Sequence, residues 1–274
     1  MIPVTKKLQT PAGAMACWDS EKDAPAVLFI HGNSASKEAF IHQFDSPLLR
    51  NYRLVAIDLP GHGQSDDVAD LDTICSTVTF AKIIKGVIPT LDLKKVTIVG
   101  WSLGGHIAIE VAGQGTELAG LVLTGTPPCG PGLADMAEAF IPSPHMALTG
   151  KPDFTDEEAL TYARAVYNTL DVSQSLLQSV KRAQGAVRGA LLTKFADPSS
   201  GYNQKQVVAT TTVPIAVFQG ENDAFMNLDY FNKLKWNSLW QNKIIPISNA
   251  GHAPFLEKPD EYNVLLSAFL KDIT

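Results

Sequence analysis

Val96-Thr97-Ile98-Val99-Gly100-Trp101-Ser102-Leu103-Gly104-Gly105-His106-Ile107-Ala108-Ile109-Glu110-Val111-Ala112 is the stretch that decides the reading of this chain. Its first four residues are apolar or β-branched and read as a buried strand. Its last seven have helical character, and between them Gly100 to Gly104 spell Gly-x-Ser-x-Gly. Strand, G-x-S-x-G, helix is the context of a nucleophile elbow, a turn that strains one residue and leaves its side chain exposed. Small residues two positions either side of Ser102 let strand and helix approach closely. The five-residue pattern is weak alone; its flanks and the partners downstream give it weight.

Chains built around such an elbow carry a carboxylate and then a histidine after the serine. Pro214-Ile215-Ala216-Val217-Phe218 reads as a buried strand and is followed by Gly220-Glu221-Asn222-Asp223, which puts Asp223 at a strand's carboxyl end. Lys243-Ile244-Ile245-Pro246-Ile247 reads as another strand, and His252 lies on the loop after it. A lone Asp or His in a loop is ordinarily solvated surface; here the two occupy the two places the elbow predicts. Upstream, His31-Gly32-Asn33 follows the strand-like Ala26-Val27-Leu28-Phe29-Ile30. In this arrangement one oxyanion-hole N–H comes from that loop, with Asn33 as the candidate, and the other from Leu103. A loop-capping role for the Asn33 amide is compatible, because the backbone N–H is offered either way.

The expected chemistry is acyl transfer to water. His252 takes the Ser102 proton as Oγ attacks a carbonyl, and Asp223 holds the imidazole tautomer. No cofactor is expected. A carboxylate nucleophile, needed by dehalogenases and epoxide hydrolases on such a scaffold, is excluded by Ser102. Cofactor-free haloperoxidase chemistry would use the same three residues.

The 274 residues, 45% apolar, suffice for one large core with an inserted lid. A net charge of −6 without a basic stripe argues against a nucleic-acid partner. No apolar run approaches 18 residues, and the first 13 lack the apolar core of a secretory signal, so neither membrane span nor export is expected. The three widely spaced cysteines, Cys17, Cys75 and Cys129, read as reduced thiols of a cytoplasmic protein. Cys129 falls near the expected cleft, but no triad can be built around it. The six histidines include no metal-ligand spacing, and the chain has neither a dinucleotide fingerprint nor a Walker loop.

Residues 2–18 read as an antiparallel pair turned at Thr10-Pro11-Ala12-Gly13. Strands at 26–30, 53–58, 96–99, 118–124, 214–218 and 243–247 then alternate with helical segments, including 75–91 and 259–273. The alternation implies a mostly parallel sheet with helices on both faces. The pattern breaks between Pro127 and about Thr212. There Thr155-x-x-Glu158 is a capping-box signature leading into a helix over 160–170. A further helical segment runs from Ser173 to about Phe195. The expected organisation is a core of residues 1–127 and 212–274, with 128–211 as a helical cap over the sheet edge where Ser102, Asp223 and His252 converge.

These features resemble the α/β-hydrolase superfamily over essentially the whole chain, and within it the N-acyl-homoserine lactonases of that fold. The resemblance rests on His31-Gly32-Asn33-Ser34, Asp58-Leu59-Pro60-Gly61-His62-Gly63 and the elbow through His106. It continues in Thr124-Gly125-Thr126-Pro127-Pro128, Tyr162-Ala163-Arg164 and Asn249-Ala250-Gly251-His252-Ala253-Pro254-Phe255. The resemblance implies an α/β-hydrolase fold with a cap and opening of the homoserine lactone ring, which quenches a bacterial quorum signal. It implies that Asn33 and Tyr162 hydrogen-bond the ligand and that Trp101 packs against it. The plainer readings are a core filler for Trp101 and a cap-packing aromatic for Tyr162. The triad-acid position of the lactonase type it resembles looks like Glu where this chain has Asp223, and either carboxylate can orient His252. The expected partner is a small lactone or ester. A general carboxylesterase for short acyl esters uses the same residues, and a ligand receptor on a hydrolase scaffold is a third reading. Oligomeric state is left open between monomer and weak dimer.

Overall fold

The computed structural model describes residues 3–130, 132–169, 171–197 and 199–273. The first two strands, β1 (Val4–Thr10) and β2 (Gly13–Asp19), pair antiparallel around the expected turn. Then follow β3 (Ala26–Ile30), β4 (Arg53–Ile57), β5 (Thr97–Trp101), β6 (Gly120–Thr124), β7 (Ile215–Gly220) and β8 (Ile245–Ile247). Among the described residues they form one eight-stranded sheet of order β1-β2-β4-β3-β5-β6-β7-β8. From β4 to β8 every neighbouring pair is parallel, while β2 joins β4 antiparallel.

The parallel strands are covered on both faces, so they read as continuous apolar runs rather than alternating ones. All five residues of β3, β5 and β6 are buried. The covering helices include α1 (Thr77–Thr90), α2 (Leu103–Gly113) and, at the end of the chain, Pro259–Ile273. Helix α1 starts on Ser76, whose side chain accepts from the Thr79 N–H, and Pro89 lies in its last turn. The break is a finding against the expected 75–91 span: Leu71–Ile74 forms a separate short helix, and Cys75 leaves helical geometry at ψ 71°.

Among the described residues six helices lie between β6 and β7: α3 (Leu133–Ala139), α4 (Pro144–Leu148), α5 (Asp156–Tyr167), α6 (Gln174–Arg182), α7 (Gly185–Ala196) and α8 (Gln204–Thr210). The capping box at the start of α5 is formed in both directions, Thr155 Oγ1 with the Glu158 N–H and Glu158 with the Thr155 N–H. That helix ends at Asn168 in left-handed geometry (φ 46°), and Leu170, the expected end, lies outside the described residues. The single segment expected from Ser173 to Phe195 is two helices. At Ala183 and Gln184 the backbone turns extended. Gln184 is recruited by the core: its N–H donates to Gly61 O at 2.8 Å, and its side chain pairs with both the N–H and C=O of Val68. Bonds across more than 100 residues outweigh local helix propensity here. The Pro259–Ile273 helix, α9, matches the expected span.

Candidate active site

Ser102 stands between β5 and α2 at φ 53°, ψ −119°, a strained conformation for a residue with a Cβ. The surrounding glycines make it attainable. A Cβ on Gly104 would lie 2.1 Å from the Ile30 carbonyl oxygen, and one on Gly100 would lie 2.6 Å from that of Gly104. Ser102 N–H donates to Thr124 O at 2.8 Å, which ties the elbow to β6. The Thr126 hydroxyl, 3.0 Å from the carbonyl oxygens of Ser102 and Thr124, donates there from the other side.

Asp223 follows β7, and its carboxylate is held at three points. Oδ1 accepts the Phe225 N–H at 2.9 Å; Oδ2 accepts from Gln219 Nε2 at 2.9 Å and from His252 Nδ1 at 2.8 Å. A carboxylate only accepts, so His252 carries its proton on Nδ1 and leaves Nε2 as an acceptor. Both side chains are almost fully buried. Gln219 was not singled out by sequence. It points from inside β7, its Oε1 accepts the Gly125 N–H, and only the fold brings that amide and Asp223 together.

Gly125, at φ +58°, seats the imidazole: a Cβ there would lie 2.6 Å from His252 Cε1. Gly125→Ala adds a backbone cost of about 1–3 kcal/mol to that overlap. A displacement of about 1 Å at a catalytic group costs on the order of a hundredfold in rate. The expected result is a loss of at least tenfold in kcat with KM nearly constant, read from steady-state kinetics; unchanged kcat would show that His252 has room to move.

Trp101 has a different place from the one expected. Neighbouring strand residues point to opposite faces, so Trp101 points away from where Ser102 opens. It is 1% exposed, packs edge-on against Phe255 (centroids 5.1 Å apart) and near Tyr167, and donates its indole N–H to His252 O at 2.7 Å. It does not line the cavity; it holds the loop that carries His252.

The loop after β3 is placed by histidines with buried rings. His31 donates Nδ1–H to Gly32 O and accepts the Leu59 N–H on Nε2; His62 donates to Pro60 O and accepts the Ser34 N–H. Burial holds His31 neutral, its pKa lowered to about 4, and holds His62 neutral at about 3. This loop comes close to the elbow, since a Cβ on Gly32 would lie 3.1 Å from Ser102 Cβ. Next to it, the Asn33 side chain donates to Thr149 O at 2.7 Å, and the Tyr162 hydroxyl donates to Asn33 O at 3.4 Å. Arg188 of α7, 3% exposed, adds a further tie. Nη1 donates to Ser34 Oγ at 2.7 Å, Nε to Lys151 O and Nη2 to Pro152 O, with the guanidinium 3.8 Å above the Phe154 ring.

Ser102, Leu103, His252, Asn33 and Tyr162 line one cavity of about 720 Å³ including its open mouth. The remainder of its wall is mostly apolar, with Met136, Phe140, Leu191 and Phe195 from the segment between β6 and β7. Cys129 is apart from it: the thiol is buried, donates to Pro127 O, and is pushed up to about 12 by burial. Among the described residues no cluster of His, Cys, Asp and Glu has the makings of a metal site, and no helix is long and apolar enough to cross a membrane.

A sequence profile of the alpha/beta hydrolase family matches residues 27–264. The AB hydrolase superfamily protein YisY of Bacillus subtilis is 26% identical over 260 residues, 89% of this chain and 90% of that protein. A 2-hydroxy-6-oxononadienedioate/2-hydroxy-6-oxononatrienedioate hydrolase of Paraburkholderia phymatum is 24% identical over 92% of this chain and 89% of its own. Among solved structures, the N-acyl homoserine lactonase AidH complexed with N-butanoyl homoserine superposes with a TM-score of 0.94 at 37% identity, covering 99% of this chain and 97% of that one. A putative aryl esterase from Burkholderia cenocepacia shares the fold at TM-score 0.79 and 21% identity, with 98% and 99% covered. With a profile match over most of its length, an eight-stranded sheet of the matching topology and a serine elbow at its centre, the chain belongs to the alpha/beta hydrolase family.

Proposed function

We infer that the protein is a serine hydrolase that opens the lactone ring of N-acyl-homoserine lactones, and that this reaction quenches a bacterial signal. The observation that carries the reading is that strained Ser102 and Asp223-held His252 open into one apolar cavity with Asn33 and Tyr162 at its wall. The 37% identity to an N-acyl homoserine lactonase complexed with N-butanoyl homoserine supports the substrate class. In this reading residues 128–211 act as a cap domain on a core of 1–127 and 212–274. The three buried free thiols fit a reducing, cytoplasmic setting.

His252 Nε2 removes the Ser102 proton as Oγ attacks the lactone carbonyl, and the imidazolium is stabilised by Asp223. The N–H of Leu103, in the first turn of α2, has no intrahelical acceptor and is available to the oxyanion. The Asn33 N–H supplies the second donor; removing one such donor from a hydrolase costs about 3–4 kcal/mol. Imidazolium then protonates the ring oxygen as it leaves. The resulting hydroxyl stays tethered to the acyl-enzyme, and its high effective molarity favours re-closure. Net hydrolysis needs that hydroxyl held aside while water enters. The Tyr162 phenol, kept protonated by burial with its pKa raised to about 12, gives its proton to Asn33 O and so offers its oxygen to accept that hydroxyl.

Tyr162→Phe is therefore expected to lower lactone kcat/KM about tenfold while affecting an aryl acetate, whose leaving group departs, less than threefold. Equal effects on both substrates would assign Tyr162 to packing. The reading as a whole is tested by proton release at constant pH with N-acyl-homoserine lactones of short, medium and long chain beside the aryl acetate. Turnover of the aryl ester alone would make the protein a general esterase.

A further inference from the structure

The cavity holds one imidazole that the proposed reaction does not use. His106 lies one helical turn beyond Ser102, its N–H donating to Ser102 O at 3.1 Å, and it lines the same cavity. Its ring sits between Phe195 and Phe140, with centroids 4.7 and 6.2 Å away. A buried chain of polar groups stands behind it. The Glu110 carboxylate accepts from Gln204 Nε2 at 3.1 Å and from the Tyr202 N–H, which turns the Gln204 carbonyl toward His106 Nδ1 at 2.8 Å. An amide oxygen only accepts, so the His106 proton is on Nδ1. Nε2 is left as a lone-pair acceptor, with no protein donor to it among the described residues, in a pocket that Thr77, Phe140 and Phe195 also line. Burial keeps the ring neutral, with its pKa lowered to about 4, so it does not become a donor near neutrality.

We propose that His106 forms a polar subsite that recognises a hydrogen-bond donor on the substrate chain, a hydroxyl at the third acyl carbon, and disfavours an oxo group there. The proposal deepens the lactonase reading and rests on it. The distance supports that position. One helical turn rises 5.4 Å, and five bonds from the lactone carbonyl carbon to the third acyl carbon span about 6 Å when extended. A hydroxyl donates to Nε2. An unsubstituted chain leaves that nitrogen desolvated and unpaired, and an oxo group sets two acceptors against each other. Specificity of this kind comes from the wrong partner's unpaired polar atoms as much as from the right partner's bond.

The experiment compares kcat/KM for three lactones of equal chain length: 3-hydroxy, unsubstituted and 3-oxo. The expected order is hydroxy, then unsubstituted, then oxo, with about five- to tenfold between the first two. His106→Phe keeps an aromatic ring of similar shape and is expected to bring the hydroxy-to-unsubstituted ratio to one or below. Gln204→Met, which frees the His106 proton to move to Nε2, is expected to raise the oxo-to-hydroxy ratio. A wild-type enzyme that prefers the oxo chain, or treats all three alike, overturns the proposal without any variant having to fold. So does an undiminished hydroxyl preference in His106→Phe. If no lactone is turned over but aryl esters are, the lactonase reading fails; the subsite is then judged by the ratio for aryl esters with and without a chain hydroxyl, where a ratio of one overturns it.

Discussion

Ser102→Ala is expected to lower lactone turnover by four to six orders of magnitude while leaving ligand binding within about threefold. In the proposed mechanism the size follows from the three groups acting as a unit: without Oγ, the proton acceptance of His252 and the orientation by Asp223 have nothing to act on. The alanine adds no bulk to the cavity and relieves none of the contacts around Gly100 and Gly104. Binding should therefore survive and be measurable by calorimetry with an intact lactone. Lactones open spontaneously in alkaline solution, so the assay is proton release at constant pH near neutrality against a protein-free blank. Residual activity within a hundredfold of wild type would remove Ser102 from the chemistry and point to a water activated directly by His252. Loss of binding together with turnover would mean that the elbow shapes the pocket as well as carrying the nucleophile.

Acid should unfold the protein early. His31, His62 and His106 are buried and neutral, with pKa values lowered from 6.5 to about 4, 3 and 4. In the unfolded chain they take up protons below about pH 6.5, whereas the folded chain does so only near pH 3–4. The unfolded state then binds more protons in that window, so stability is fully present above pH 6.5 and falls as pH drops through it. Each histidine contributes up to about 1.4 kcal/mol per pH unit, and the three together remove about 5 kcal/mol between pH 7 and pH 5. That is a large share of the 5–15 kcal/mol typical of a folded domain. Urea midpoints at pH 7, 6 and 5 measure it directly. Equal midpoints would mean that all three rings take up protons in the folded protein as readily as in the unfolded chain, against the single-donor bonding that each of them shows.

The two halves of the problem differed in how far local sequence reached. Strand positions, the antiparallel entry of β1 and β2, the capping box at Thr155 and the strand-end placement of Ser102, Asp223, His252 and Asn33 all follow from patterns a few residues long. Each is set by periodicity, a cap or a glycine at a fixed offset. What escaped the sequence depends on partners far away in the chain. The break at Gln184 exists because Val68 and Gly61 claim that residue. Gln219 becomes a support for Asp223 only once β6 and β7 are neighbours. The family resemblance implies a ligand contact for Trp101, yet strand geometry turns it to the face opposite Ser102. His106 looked like one more residue of a helix; its tautomer is set by Gln204, nearly a hundred residues on.

The bond from Arg188 to Ser34 bears on how chain length is chosen. Leu191, Leu192 and Phe195 of α7 line the cavity, and Arg188 on the same helix is bolted to Ser34, Lys151 and Pro152. A helix free to slide would absorb a larger or smaller side chain by shifting, and the enzyme would tolerate many acyl lengths. With α7 pinned to the loop beside the nucleophile, the gap between Ser102 and those side chains is a fixed gauge. On the lactonase reading, acyl length is then set by the sizes of a few side chains, and trimming one of them is expected to lengthen the accepted chain by a matching number of methylenes.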